Sequence, residues 1–422
     1  MREILLRILI GVVVSCFFYP FAFKFLPGIN TKMILGAIGL VIFALKLNSR
    51  NRGEVSIYVI VATCFTLLFS LLCFMPAVIF ATGDDSYSTY YISFFVWVFG
   101  AYTVCDLIRY KNGVTDLRTI TYYLTVVAVA QCILAQLISD FPAIQSLVDG
   151  LVEQGQDFLK EINRIYGIGA SLDNAGVRFS ITLLLIAHMI VENGKDEGHS
   201  TELWMLYLSF IFITVFGNMI ARTTTVGAVL AISYILVRIT VRANANLEKS
   251  RLKSFLIVVL ILGAAIPVFT YLYATNTDIH SQMRFAFEGF FNWVETGEFT
   301  TGSTEKLKAN MWIWPKDNQT WLIGTGKFGN WAFGTDIGYC RFILYCGLVG
   351  FSVFAAFFIF NGWAFSRKFE DTGWLAIFLV ALTFIIWIKV STDIFQFYAL
   401  AICADAVVCA NRGKDTEKIP EQ

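Results

Sequence analysis

The chain has 422 residues, of which 57% are hydrophobic, 16% aromatic and only 15% charged, with a mean hydropathy of +0.66. A soluble domain carries about 25% charged residues, so this composition excludes an ordinary soluble fold. The formal net charge of +1 offers no basic field for nucleic acid, which is not expected as a partner.

Apolar runs follow one another along almost the whole chain, at roughly 4–26, 32–47, 55–80, 91–108, 119–138, 177–192, 203–220, 225–241, 255–274, 338–360, 373–390 and 394–410. A bilayer core of about 30 Å asks for ~20 apolar residues per helix, with ~17–25 the usual range. The expected fold is therefore all-α. It is a polytopic membrane protein of about 12 transmembrane helices, forming a single integral membrane domain over residues 1–422. The first run has no small-residue cleavage site and another run follows at once, so it reads as a retained span.

Lys and Arg in the short breaks set the orientation. With the N-terminus and Arg2 and Arg7 in the cytoplasm, the inner breaks hold Lys46, Arg50 and Arg52; Arg109, Lys111 and Arg118; and Lys195. They continue with Arg238, Arg242, Lys249, Arg251 and Lys253, then Arg367 and Lys368, and the tail with Arg412, Lys414 and Lys418. The outer break Ala81 to Tyr90 holds Asp84 and Asp85 and no base. Both termini are expected inside. Nine cysteines, Cys16, Cys64, Cys73, Cys105, Cys132, Cys340, Cys346, Cys403 and Cys409, lie in or beside apolar runs without a CxxC pair. They read as small packing residues.

Two long breaks, 139–176 and 275–338, fall on the outside, and connections of such length are usually functional. In the first, Ile144, Leu147, Val148, Leu151, Val152, Phe158, Leu159 and Ile162 recur at helical spacing. They predict an amphipathic helix on the membrane surface or over the bundle, forming a lid or wall beside a cleft. The second is aromatic, with Phe285, Phe287, Phe290, Phe291, Trp293, Trp312, Trp314, Trp321, Phe328, Trp331 and Phe333. These suit interfacial anchors or loop core, and some suit stacking on sugar rings.

Three stretches have the residue types for chemistry on an anion. Arg164 to Arg178 closes the first loop with several glycines, and guanidinium binds phosphate through two parallel bonds. Arg178, just inside the span, equally fits a snorkelling interfacial arginine. Gly217 to Gly227 is a very short outer turn that places Arg222 at or below the membrane surface, where an arginine is expensive and functional by default. Thr223, Thr224 and Thr225 beside it suit either a phosphate or the N-terminus of the next helix. Gly324-Thr-Gly326-Lys-Phe-Gly329 leads to Asp336 at a helix start, where an aspartate is often only a cap. The glycine spacing precedes no soluble strand–helix unit, which argues against a dinucleotide fold. His188, His199 and His280 are scattered and make no metal constellation. No metal or other cofactor is expected, and no GxSxG or HExxH occurs.

The chain resembles the O-antigen polymerase and O-antigen ligase superfamily. The likeness is carried in order by Arg164, Gly167, Asn174 and Gly176; by Ala221, Arg222 and Thr223; and by Gly324, Gly326, Thr335, Asp336, Gly338, Tyr339, Gly347, Leu348 and Gly350. It covers most of the chain from about residue 120 onward. The resemblance implies a GT-C-like bundle and glycosyl transfer on the outer leaflet of a bacterial inner membrane. The donor would be an oligosaccharide on undecaprenyl pyrophosphate, and the acceptor a second lipid-linked repeat unit or a lipid core. Arg164 and Arg222 would hold the pyrophosphate without a metal, and Asp336 would be the base. Arg178, Thr223, Arg284, Lys306 and Arg341 would be further phosphate or sugar contacts. Membrane lipid, a chain-length regulator and a flippase are the partners it implies. Asp336 stands about where the ligases place a histidine, which favours the polymerase over the ligase. A lipid-oligosaccharide flippase or transporter is the competing class, although no internal repeat supports it.

Overall fold

A computed structural model of the chain describes residues 2–47, 56–162, 164–193, 200–240, 277–298, 300–329 and 331–405, with 256, 260 and 263 as single positions. Outside them lie the rest of the ninth apolar run (255–274), Arg50, Arg52, Lys195, His199, Arg242, Lys249, Arg251, Lys253, Cys409, Arg412, Lys414 and Lys418.

The elements run α1 (Arg2–Phe18), β1 (Ala22–Phe23), β2 (Leu26–Asn30), α2 (Thr31–Leu47), α3 (Ile57–Ile79), α4 (Tyr90–Asn112) and α5 (Leu117–Asp140). Then come α6 (Pro142–Leu151), β3 (Val152–Glu153), α7 (Gln156–Glu161), α8 (Leu172–Asn193), α9 (Ser200–Ile220) and α10 (Thr224–Thr240). The rest is α11 (Thr277–Ala286), α12 (Glu288–Thr296), α13 (Gly302–Lys306), α14 (Asn318–Ile323), α15 (Gly338–Lys368), α16 (Gly373–Ile386) and α17 (Phe395–Cys403). Among the described residues six helices, α3, α4, α5, α8, α9 and α15, are long and apolar enough to cross a membrane. The chain is a helical membrane protein. Of the remaining apolar runs, α10 and α16 are shorter helices of that character.

Two expectations need correction. The first run was read as one span over 4–26, but α1 stops at Phe18. Pro20 cannot donate a helical hydrogen bond and disfavours a helical residue before it. The chain then forms a three-stranded sheet in the order β2-β1-β3. The single amphipathic helix expected through Ile162 is two helices, because Val152 and Glu153 pair with Phe23 and Ala22. Gly155, at φ +70°, then restarts the chain as α7. The apolar face of these helices covers a core of its own, made by Ile138, Val148, Val152, Leu159 and Tyr166 with Ile144 and Ile168 packed against it.

The described residues fall into two compact units. One draws on Met1–Phe17, Thr31–Ile120 and Asn310–Gln422. In it α2 lies close against α4, since a Cβ on Gly39 would overlap the Phe99 carbonyl. Small residues at such a crossing let two backbones approach, and Thr103 Oγ1 bonds across to Leu35 O at 2.8 Å. Helix α15 breaks at Gly347, where φ is +66°. The break frees the carbonyls of Leu344 and Tyr345, which accept from the backbone N–H groups of Thr325 (2.7 Å) and Gly326 (2.9 Å). The glycine motif thus repairs a broken helix inside the apolar region, where unpaired backbone groups are costly.

The other unit draws on Phe18–Asn30 and Thr121–Ala309. Its axis is α8, buried along nearly its whole length, with α9 and α10 packed on it. A Cβ on Gly227 would overlap Ser180, and Ser180 Oγ donates to Thr223 O at 3.1 Å. Farther along the pair, Arg238 bonds to Glu192 at 2.6 Å.

Candidate functional site: an arginine pair on one phenyl ring

Arg164 leaves α7 with its N–H still bonded to Leu159 O at 2.8 Å. The chain after it is fixed by side chains. Gln131 of α5 bonds to both the N–H and the carbonyl of Ile168, each at 2.9 Å, and Gln154 accepts from Gly169 N–H at 2.7 Å. Tyr166 donates to Asp149 at 2.9 Å. Gly169 has φ +70°, and a Cβ there would overlap the Tyr19 carbonyl, so glycine is required.

Arg222 lies in the turn between α9 and α10. Ala221 N–H bonds to Gly217 O at 2.8 Å and Thr224 N–H to Ala221 O at 3.0 Å. Thr224 Oγ1 also bonds to Gly217 O, and Thr225 Oγ1 to Asn218. Thr223 Oγ1 donates to Asp173 in the first turn of α8. A Cβ on Gly176 would sit 2.8 Å from that of Thr223, so this glycine lets the turn dock on α8.

The two guanidinium groups meet at Phe285 of α11, their central carbons 3.4 Å (Arg164) and 4.4 Å (Arg222) from the ring centre. A phenyl face attracts cations, more strongly when they are desolvated. Arg222 forms an ion pair with Glu288, the first residue of α12, and the two side chains are 16% and 27% exposed. The other Glu288 oxygen accepts from Gly302 N–H at 2.9 Å. Among the described residues Arg164 has no bonded carboxylate, and its Nε is buried without a hydrogen-bond partner. Burial pushes the Arg164 guanidinium down to about 10; the charge on Arg222 acts the same way, and Asp173 and Glu288 oppose it. Arg164 is thus cationic at neutral pH.

The other expected residues have separate settings. Arg178 bonds to Asn174 O at 3.4 Å and lies 5.7 Å from the Tyr19 ring. Arg284 makes a two-pronged pair with Glu295, both bonds 2.6 Å. Lys306 is exposed at the end of α13. Asp336 and Arg341 belong to the first unit. Asp336 is exposed and accepts from the Trp331 indole at 3.1 Å; the cap position of α15 is Ile337, so Asp336 does not cap it. Arg341 bonds to Ser391 (3.0 Å) and Phe328 O (2.9 Å) and stacks 4.0 Å from the Phe328 ring. Asp84 holds this loop, accepting from the N–H groups of Phe328 and Gly329 at 2.6 and 2.7 Å.

No family model, curated protein or solved structure matches this chain. Three residues of the arginine site were not singled out by sequence. Phe285 was one aromatic among many, Asp173 was an unremarked member of its stretch, and Glu288 was passed over. The one local signal for Glu288 is that it is a carboxylate within an aromatic run.

Proposed function

We propose that this protein is an outer-leaflet glycosyltransferase that polymerises oligosaccharide repeat units carried on undecaprenyl pyrophosphate, for O-antigen, capsule or exopolysaccharide. It would sit in a bacterial inner membrane with both termini cytoplasmic. The observation that carries the reading is the convergence of Arg164 and Arg222 on Phe285. Two guanidinium groups from segments 58 positions apart (222 − 164) meet at one place, and among the described residues the Nε of Arg164 is buried without a hydrogen-bond partner. That arrangement suits a bound phosphate-class anion better than it suits packing.

In the reaction, an acceptor hydroxyl oxygen bonds to the anomeric carbon of the donor and the bond to the pyrophosphate breaks. The electron pair leaves with the pyrophosphate, and the hydroxyl proton passes to a carboxylate. The arginines would stabilise charge on the leaving oxygens, worth about 3–4 kcal/mol for each such donor in a dry site. Asp336 is the proposed base, a role worth about 10²–10⁴-fold.

Deleting the protein should leave single repeat units on the carrier at the outer leaflet. Units confined to the inner leaflet would indicate a flippase, and intact polymer that is no longer attached to a lipid core would indicate a ligase. Arg222→Lys should lose most polymer at normal protein level, because an ammonium cannot make the two-pronged contact.

A further inference from the structure

The charges around Phe285 already balance. Arg164 and Arg222 supply two cations; Asp173 and Glu288 both act on Arg164, and Glu288 is paired with Arg222. A pyrophosphate brought to this site meets a carboxylate seated on Arg222. The two carboxylates are held differently. Asp173 belongs to the first turn of α8 and receives the Thr223 hydroxyl, so it is part of the frame that positions the turn. Glu288 begins α12, a helix of the outer segment, and its two oxygens take a guanidinium and a backbone N–H. Guanidinium and backbone N–H groups are also the donors that bind phosphate oxygens.

We infer that Glu288 is a latch that stands in for the substrate. In the resting protein its carboxylate occupies Arg222; a pyrophosphate first engages the uncommitted Arg164, then displaces Glu288 from Arg222. Displacement also releases Gly302 N–H, which removes one of the bonds between α12 and the segment that follows it; Asn292 keeps its bond to Thr300 O. The inference rests on reading the arginine pair as a pyrophosphate site and adds how that site is kept closed. Without the latch, two adjacent cations would face each other near the membrane surface and would attract any lipid phosphate. With it, only a ligand that can satisfy both arginines repays the lost ion pair.

The test is binding of farnesyl pyrophosphate to the detergent-solubilised full chain, compared across five proteins: the native chain, Glu288→Gln, Glu288→Asp, Arg222→Gln and the Arg222→Gln, Glu288→Gln double variant. Glu288→Gln keeps the shape and an oxygen for Gly302 N–H but removes the charge. It should bind about tenfold more tightly than the native chain, the scale of one partly exposed ion pair that no longer has to be broken. Glu288→Asp, which keeps the charge, should stay within about threefold of the native protein. In an Arg222→Gln background the Glu288→Gln gain should vanish, because the latch has nothing to hold. Unchanged affinity for Glu288→Gln, or the same gain without Arg222, overturns the latch while leaving the arginine site standing. Failure of both the native chain and Glu288→Gln to bind the probe removes the pyrophosphate reading itself.

Discussion

Replacing Arg164 with methionine should make the protein more stable and nearly inactive. Methionine keeps the length of the side chain and an apolar contact for Phe285 while it removes the charge. Burial lowers the Arg164 guanidinium from its ordinary value to about 10. At about 1.36 kcal/mol per unit, that depression corresponds to roughly 3 kcal/mol of strain on the charged form. The side chain is only half-buried, so water screens it, and about 1–2 kcal/mol is a better figure. The sign follows from linkage. The unfolded chain holds this proton more tightly than the folded one, so the cost is fully present at every pH below about 10, including neutrality. Losing the cation over the phenyl ring returns about 0.5–1 kcal/mol. The net gain is up to about 1 kcal/mol, or a Tm rise of a few degrees. Polymer synthesis should fall about 10²–10³-fold. Thermal unfolding followed by tryptophan fluorescence in detergent gives the first number, and the polymer ladder from cells lacking the native gene gives the second. A lower Tm would show that Arg164 holds the fold, and normal polymer would remove it from the mechanism.

Gly347→Ala should cost roughly 2–4 kcal/mol and lower the yield of inserted protein. Its φ is +66° and a Cβ there would overlap the Leu322 carbonyl; Gly334→Ala, at φ +68° with open space around it, should cost only about 1 kcal/mol. Asp84 is raised by burial, but bonds from the Ser86 hydroxyl and the backbone of Gly329, Phe328 and Ser86 outweigh that and hold its carboxyl below the ordinary value. Its contribution is therefore full above about pH 4 and lost as pH falls through the lower folded value, so limited proteolysis near Lys327 should appear only in acid. Asp84→Ala should bring the same cleavage at neutral pH. Asp336→Asn should reduce polymer at least 10²-fold if the carboxylate takes the acceptor proton, with Tm unchanged because the amide oxygen still accepts the Trp331 indole; full polymer from this variant would remove Asp336 as the base.

The helical membrane fold was legible because each apolar run reports on itself. Length, hydropathy and the basic residues at the ends of α4 and α15 need no knowledge of a partner. Pro20 is equally visible as a stop, yet hydropathy carries the first span past it, since Phe21, Phe23 and Phe25 continue the apolar run. The repair of α15 was not legible. Gly324 and Gly326 announce a tight turn, but nothing local says that the adjacent N–H groups serve carbonyls about 20 residues on. Likewise the sequence of the first long loop, 139–176, shows an apolar face but not that the face has a core of its own.

The arginine site shows where sequence reasoning stops and why. An arginine in a turn as short as Ala221–Thr223, between two apolar runs, is expected at membrane depth, where a charge demands a counter-charge or a ligand. That much follows from spacing alone. Which carboxylate answers it does not follow, because Asp140, Asp149, Asp157, Asp173 and Glu288 all lie within the two long loops, 139–176 and 275–338. The fold decides by giving Asp173 to the Thr223 hydroxyl and Glu288 to Arg222, 66 positions away. Among the described residues it gives Arg164 a phenyl ring and no bonded carboxylate. A chain selected only to satisfy its buried charges would pair both arginines. Among the described residues a carboxylate bonds to Arg222 and none bonds to Arg164, which is the asymmetry the proposed anion site calls for.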